Sequence, residues 1–175
     1  MALFVFLEGD DDHRFLQTII VPRLQDRFDA VNLWRYAEQK KAVVDALVKG
    51  VEAGGDQYLF LADLDAAESV EERKKALCNE IPTLRLDRII IVVSEIEGWY
   101  LAGLDAQSQR AMRIDAGRIP HRTDEVVKED LAGIIPPNRY RSTVDFFREV
   151  LNRFAIPEAR RRNDSFDYFC ARCGL

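Results

Sequence analysis

The sequence predicts an α/β fold in which a mainly parallel sheet carries helices on both faces, and three observations lead there. Short, continuous apolar runs alternate with amphipathic segments of helical spacing. The runs lack the polar alternation of a strand with one wet face, so they read as strands buried on both sides. Three of them end in carboxylates, at the place where open α/β sheets hold their ligands. Such alternation implies right-handed βαβ crossovers.

Ala2–Leu7 (ALFVFL) is the first run, closed by Glu8-Gly9 and then Asp10-Asp11-Asp12. A helix is expected over Asp11–Arg27, with Phe15, Leu16, Ile19, Ile20 and Leu24 at helical spacing and acids at its start, where the macrodipole favours them. Val31–Tyr36 is the second strand. Lys41–Ala53 is helical through Val43, Val44, Leu47, Val48 and Val51, and Gly54-Gly55 stops it. Tyr58–Ala62 (YLFLA) is the third strand, ended by Asp63; Ser69–Ile81 is a charged helix halted by Pro82. Arg88–Val93 (RIIIVV) is the fourth strand and the strongest β signal in the chain.

Beyond Ser94 the pattern changes. Glu97–Leu104 begins a helix, 105–140 is polar and broken by Pro120, Pro136 and Pro137, and Val144–Phe154 and Phe166–Arg172 are helical again. No repeat, low-complexity tract or linker divides the chain. It reads as one domain over 1–175, with a core over about 2–104 and a helical C-terminal extension over about 105–175.

Its 175 residues suffice for a sizeable core without disulfides. No apolar run reaches the roughly 18 residues that span a bilayer, so no membrane partner is expected. MALFVFLEG lacks a basic leader and Glu8 cuts its apolar run short, which points to the cytoplasm. Cys78, Cys170 and Cys173 make no even disulfide framework, in keeping with a reducing compartment. The net charge of −5 is unevenly spread: residues 1–109 hold 12 Lys/Arg and 20 Asp/Glu, whereas 110–175 hold 13 and 10. Overall acidity opposes nucleic-acid binding, since phosphate contact runs on Lys and Arg. Eight of the acids, however, fall in the three strand-end motifs, and cations bound there would leave a positive remainder.

In a parallel sheet the residues after each strand gather along one edge, so Glu8, Asp63, Asp65, Glu95 and Glu97 are expected to converge. Convergent carboxylates repel unless a cation lies between them, and Mg²⁺ or Mn²⁺ prefers carboxylate and water oxygens. Asp63 and Asp65, two apart, would leave the same face of an extended backbone. Gly9 would remove bulk where a phosphate or ion approaches. An ion so held can activate water and stabilise charge on a phosphoryl oxygen. The same acids also suit helix N-caps and first turns, Asp11 or Asp12 most plainly.

Glu8-Gly9 after a strand, with Asp63-x-Asp65 after a later one, resembles the TOPRIM domain of topoisomerases, DnaG-type primases and OLD-family nucleases. Glu95-Ile96-Glu97-Gly98-Trp99-Tyr100-Leu101-Ala102 resembles the ExExW segment of small stand-alone OLD-type TOPRIM-like proteins, and Asn163-x-Ser165-Phe166-x-x-Phe169 resembles their closing SFxxF segment. The likeness covers residues 2–104 well and 138–170 loosely. It implies a three-layer α/β/α Rossmann-like TOPRIM fold and metal-dependent phosphodiester chemistry on DNA or RNA, by a nuclease or nuclease subunit. Glu8 would be general acid/base or metal ligand, Asp63 and Asp65 catalytic metal ligands, and Glu95 and Glu97 supports for a second Mg²⁺ or Mn²⁺. OLD-type nucleases also set a basic residue beside the metals; no Lys stands in a matching place, which leaves Lys128, Arg139 or Arg141. They carry an ATPase domain, whereas this chain has no GxxxxGKS/T, so an ATPase partner would be a separate protein.

Two other readings compete. One is a non-catalytic metal- or nucleic-acid-binding TOPRIM module of a multi-protein system. The other is a receiver-like phosphoacceptor domain, whose layout is echoed by Asp10-Asp11-Asp12, Asp63 and Ser94 after successive strands, although no Lys follows a fifth strand. Several further residues have both a bland and a functional reading. Trp99 and Tyr100 would pack in a core or stack on bases. His13 would lie on a helix surface or tune the acids. Cys170-x-x-Cys173 would need outside ligands to hold zinc. Arg139, Arg141, Arg160 and Arg161, the last two within the run Arg160-Arg161-Arg162, are candidate phosphate contacts or a solvated helix face.

Overall fold

The computed structural model describes residues 1–175. Four strands form one all-parallel sheet: β1 (Leu3–Leu7), β2 (Val31–Arg35), β3 (Gln57–Asp63) and β4 (Ile89–Val92), in the order β2-β1-β3-β4. The chain leaves β1 for β2 on one side and returns to β3 on the other. The order therefore reverses between β1 and β3, the place in an open α/β sheet where ligands are usually held.

Pleating sends alternate residues to opposite faces. One face carries Phe6, Tyr58, Phe60, Ala62, Ile89 and Ile91 and is covered by α3 (Lys41–Ala53) and α4 (Val70–Glu80), through Val44, Val48, Val51 and Leu77. Its centre is aromatic: Phe6 meets Trp34 edge-on at 5.4 Å, and Tyr36 stacks on Phe60 at 4.3 Å. The other face presents Leu3, Val5, Leu7, Leu59, Leu61, Ile90 and Val92, all buried. Right-handed crossovers place the β1–β2 connection on that side. The result is the expected α/β architecture, a parallel sheet flanked by helices.

The β1–β2 connection departs from the single helix expected over 11–27. It consists of α1 (Asp10–Phe15), a π-helical turn (Leu16–Ile20) and α2 (Val21–Leu24). Pro22 is the physical reason. It has no N–H to donate, and its ring would press on the carbonyl four residues earlier, so the helix widens and Val21 N reaches back to Leu16 O. The start of α4 is capped by Ser69, whose hydroxyl accepts from Glu72 N at 3.2 Å.

Two compact units divide the chain, Met1–Val92 and Val93–Leu175. The helix of the ExExW segment therefore belongs with the C-terminal unit, whereas the sequence groups it with the sheet. That unit holds α5 (Ile96–Ala102), α6 (Ala106–Ala111), α7 (Leu131–Ile134), α8 (Thr143–Asn152), α9 (Ile156–Arg162) and α10 (Asp164–Cys173). Of these, α6, α7 and α9 were not foreseen; they have only four to seven residues, too few to show a period. Every residue of α5 is buried. Trp99 donates to Ser165 Oγ at 2.8 Å and packs on Phe166 and Phe169; Tyr100 stacks on Phe147 at 4.1 Å. Both rings are inaccessible, which removes base stacking as their role. Gly98 is required here, because a Cβ would lie 2.4 Å from Thr123 O. No helix is long and apolar enough to cross a membrane.

Candidate functional site

Glu8 follows β1 directly, and its carboxylate turns toward the end of β3. Oε1 accepts from the Asp63 backbone N–H at 3.2 Å and from the Tyr36 hydroxyl at 2.9 Å. The ends of β1 and β3 are thus joined through a carboxylate, at the point where the strand order reverses. Tyr36 ends the β2 ladder by donating its N–H to Leu7 O. Its hydroxyl also lies 3.0 Å from Leu61 O, so one proton serves two acceptors. Burial, and then the charge of Glu8 beside it, push the Tyr36 hydroxyl well above the usual phenol range, so it stays a donor. Both donors meet the same oxygen, Oε1. Glu8 also lines a cavity of about 370 Å³ together with Gly9, Asp10, Arg35 and Gln39.

Asp63 is the last residue of β3, and one of its carboxylate oxygens, Oδ1, is buried and accepts no hydrogen bond; the residue is engaged otherwise. Asp65 does not continue the strand. Its φ of 51° is left-handed, a conformation Asp tolerates better than most residues, so the same-face argument from an extended backbone fails at this position. Arg73 of α4 takes its carboxylate instead: Nη2 lies 2.5 Å from Asp65 Oδ2, while Nε donates to Asp63 O at 2.9 Å.

The triple aspartate is absorbed by local structure. Asp10 pairs with Arg35 and Asp11 with Arg14. Asp12 accepts from Gly9 N at 3.1 Å and so closes the first turn of α1. It is only 7% exposed, and this burial, opposed by its hydrogen bonds and reinforced by the charges of Glu8 and Asp11, raises its pKa to about 6. Gly9 is not sterically demanded, since a Cβ would meet Asp12 at an ordinary 3.5 Å.

Glu95 and Glu97 lie in the C-terminal unit. Glu95 precedes α5 and accepts from Lys128 N at 2.5 Å; Glu97 is buried in the first turn. Of the arginines proposed for phosphate, Arg139 is bound to Glu149 and Ala111 O, Arg160 to Asp167 and Leu175 O, and Arg161 to Glu158 and the His121 ring. Arg141 is exposed. Arg162 is no surface residue at all. Its guanidinium is buried and donates to the carbonyls of Leu101, Ala102, Leu104, Pro120 and His121, closing the end of α5. Cys170 and Cys173 are buried.

Glu8, Asp63 and Asp65 supply hard oxygen donors of the kind Mg²⁺ or Mn²⁺ takes, and the buried Oδ1 of Asp63 suits such an ion in chemistry. No three or more His, Cys, Asp or Glu side chains are gathered around one point, and the Asp65 carboxylate is held by Arg73. Tyr36 and Arg73 are the two residues of this edge that the sequence reading missed. Tyr36 had a signal, because it stands at the end of a strand like the acids. Arg73 had none, since nothing in local spacing ties a residue of the following helix to the end of β3. No family model, curated protein or solved structure matches the chain significantly.

Proposed function

We propose that this chain carries out metal-dependent phosphodiester chemistry on DNA or RNA, as a TOPRIM-type nuclease or nuclease subunit, at the C-terminal ends of β1 and β3. The observation that carries the reading is the hydrogen bond from the Asp63 backbone N–H to Glu8 Oε1, which brings the Glu8 carboxylate to the end of β3 at the strand-order reversal. Glu8, Asp63 and, once freed from Arg73, Asp65 are the residues that would hold Mg²⁺ or Mn²⁺. Such an ion, when bound, supplies a water of lowered pKa and a positive charge at the phosphoryl oxygen. Tyr36 fixes Oε1 of Glu8 and so orients the carboxyl for proton transfer. Arg73 is a basic group placed at the end of β3, where its side chain meets both Asp63 O and Asp65. An ATPase, if the system uses one, is a separate partner.

The test is incubation of purified protein with single- and double-stranded DNA and RNA in Mg²⁺ or Mn²⁺. Cleavage that drops to background in Glu8→Gln and in Asp63→Asn is expected. Intact nucleic acid of every kind, with and without candidate partners, sinks the nuclease reading. The pairing of Asp65 with Arg73 and the net charge of −5 favour one alternative, a non-catalytic binding module. Nucleic-acid binding that survives Asp63→Asn without any cleavage would select it.

A further inference from the structure

We propose that the C-terminal unit carries a surface for the phosphate backbone of a nucleic acid, made by Arg110, Arg113, Arg139, Arg141 and Arg153. It names a substrate-contacting face for the nucleic-acid reading above and rests on that reading.

Three separate segments meet here, and Arg139 is their junction. Its Nη2 donates to Ala111 O at 3.3 Å and reaches Glu149 Oε1 at 3.3 Å. Ala111 is the last residue of α6, so that carbonyl stands between Arg110 and Arg113 in the chain. Arg153, just past α8, brings Nε to the same Glu149 oxygen at 3.4 Å. The Tyr140 hydroxyl donates to the other oxygen at 2.9 Å, and the Arg139 guanidinium lies 5.5 Å from the centre of the Tyr140 ring. Arg141 is two residues beyond Arg139, before α8 begins.

The charge of this surface is not balanced within the fold. Glu149 answers Arg139 and Arg153 only. The acids close by in sequence are matched by other arginines, Asp115 by Arg118 and Asp145 by Arg148. Arg110, Arg113 and Arg141 are exposed and pair with no carboxylate. Like charge gathered in this way opposes the compact state, so packing gives no reason for it. Arg113 adds a second observation. Its φ is 59°, and it follows α6 at the position where glycine usually stands. The dipole of α6 does not require it either, since Arg110 already occupies the last turn.

A polyanion fits this arrangement better than a small anion does. The arginines come from three segments of an exposed surface, so a run of phosphates meets several of them at once. DNA carries one charge per roughly 1.7 Å of its axis. The planar guanidinium fork matches phosphate oxygens, and the shared hold of Glu149 on Arg139 and Arg153 orders two of the forks in advance. The net charge of −5 is no obstacle, because contact is local and residues 110–175 hold 13 Lys/Arg against 10 Asp/Glu.

Fluorescence anisotropy with a labelled DNA duplex and its single strand, in EDTA at low salt, reads binding without metal chemistry. Wild type is expected to bind, with an affinity that falls steeply as salt rises. The double variant Arg113→Gly, Arg141→Gln breaks no ion pair, and glycine suits the left-handed backbone. It is expected to bind about tenfold more weakly, with the salt slope reduced by about one per arginine removed. A control, Arg161→Gln with Arg172→Gln, removes the same charge from exposed positions of the same unit and is expected to stay within about twofold of wild type. Equal losses in the two variants mean diffuse attraction and overturn the proposal, as does no loss in the first. A wild type that binds no nucleic acid, or that releases DNA to poly-glutamate as readily as to unlabelled DNA of equal charge, overturns it too. Should the double variant fail to fold, Arg141→Gln alone decides, and unchanged affinity refutes the surface. Patch-dependent binding with no cleavage in Mg²⁺ defeats only the nuclease reading. Cleavage that the double variant performs as well as wild type defeats only this surface.

Discussion

The two units treat their buried polar groups in opposite ways. In the C-terminal unit Arg162, Asn163 and Ser165 are joined in one hydrogen-bonded set. Arg162 meets five carbonyls, Asn163 caps α10 through Phe166 N, and Ser165 both accepts from Trp99 and donates to Asn163. At the end of β1 and β3 the accounts are open. Glu8 receives two donors on one oxygen, Asp63 keeps a buried oxygen that accepts no hydrogen bond, and Asp12 is buried among like charges. A network in which every donor and acceptor is matched specifies a fold. A carboxyl whose pKa is raised by burial at a sheet edge, as at Asp12, is a feature that functional sites share with some structural ones.

This contrast can be broken most forcefully at Arg162. Arg162→Met leaves several buried carbonyls at the end of α5 without donors and is expected to cost about 3–5 kcal/mol in denaturant unfolding. A loss near zero would mean that the network is ornamental. Arg162→Lys should be nearly as costly, because a compact ammonium cannot serve carbonyls on both 101–104 and 120–121.

Asp12 offers the opposite sign. Its folded pKa of about 6 lies above the unfolded value of 3.8, so the folded state binds the extra proton. Its contribution is therefore most favourable below about pH 4 and is lost as pH rises through about 6. Asp12→Asn, which still accepts from Gly9 N, is expected to stabilise the protein by about 1–3 kcal/mol at pH 8 and by little at pH 4. A variant whose stability difference does not change with pH would refute the charge tension at this edge.

Smaller effects sharpen the picture. Ser165→Ala leaves the Trp99 N–H buried without its acceptor and should cost about 1–2 kcal/mol while leaving Mn²⁺ binding untouched. Tyr36→Phe should cost only about 0.5–1.5 kcal/mol. It removes one of the two donors on Oε1 of Glu8, however, and so is expected to alter the pH profile of any cleavage, whereas the Ser165 variant leaves that profile alone. Removing Arg161, whose side chain is exposed, should change stability by less than about 0.5 kcal/mol.

Legibility followed the range of the interactions. Lys41–Ala53 was readable to the residue because its valines recur at helical spacing and a glycine pair follows. The Asp11–Arg27 helix was readable only as helical, since the π-turn answers a single proline inside it. That β1 and β3 end side by side was readable from the rule that parallel strands share an edge, and the Glu8 carboxylate does reach the backbone N–H of Asp63. Asp65 was misread, because one left-handed residue turns the chain away from the face that an extended strand would offer.

By itself, then, the sequence determined the α/β class and the acidic ends of β1 and β3. Doubly buried strands lose alternation, helices keep their period, and both marks lie within a few adjacent residues. Only the tertiary structure decided the strand order β2-β1-β3-β4, the meeting of Tyr36 with Glu8 across 28 residues, the hold of Arg73 on Asp65 and the burial of Arg162, which bonds Leu104 across 58. The physical reason is that a side chain's charge and shape are local properties, while the group that answers them is chosen by the path of the whole chain.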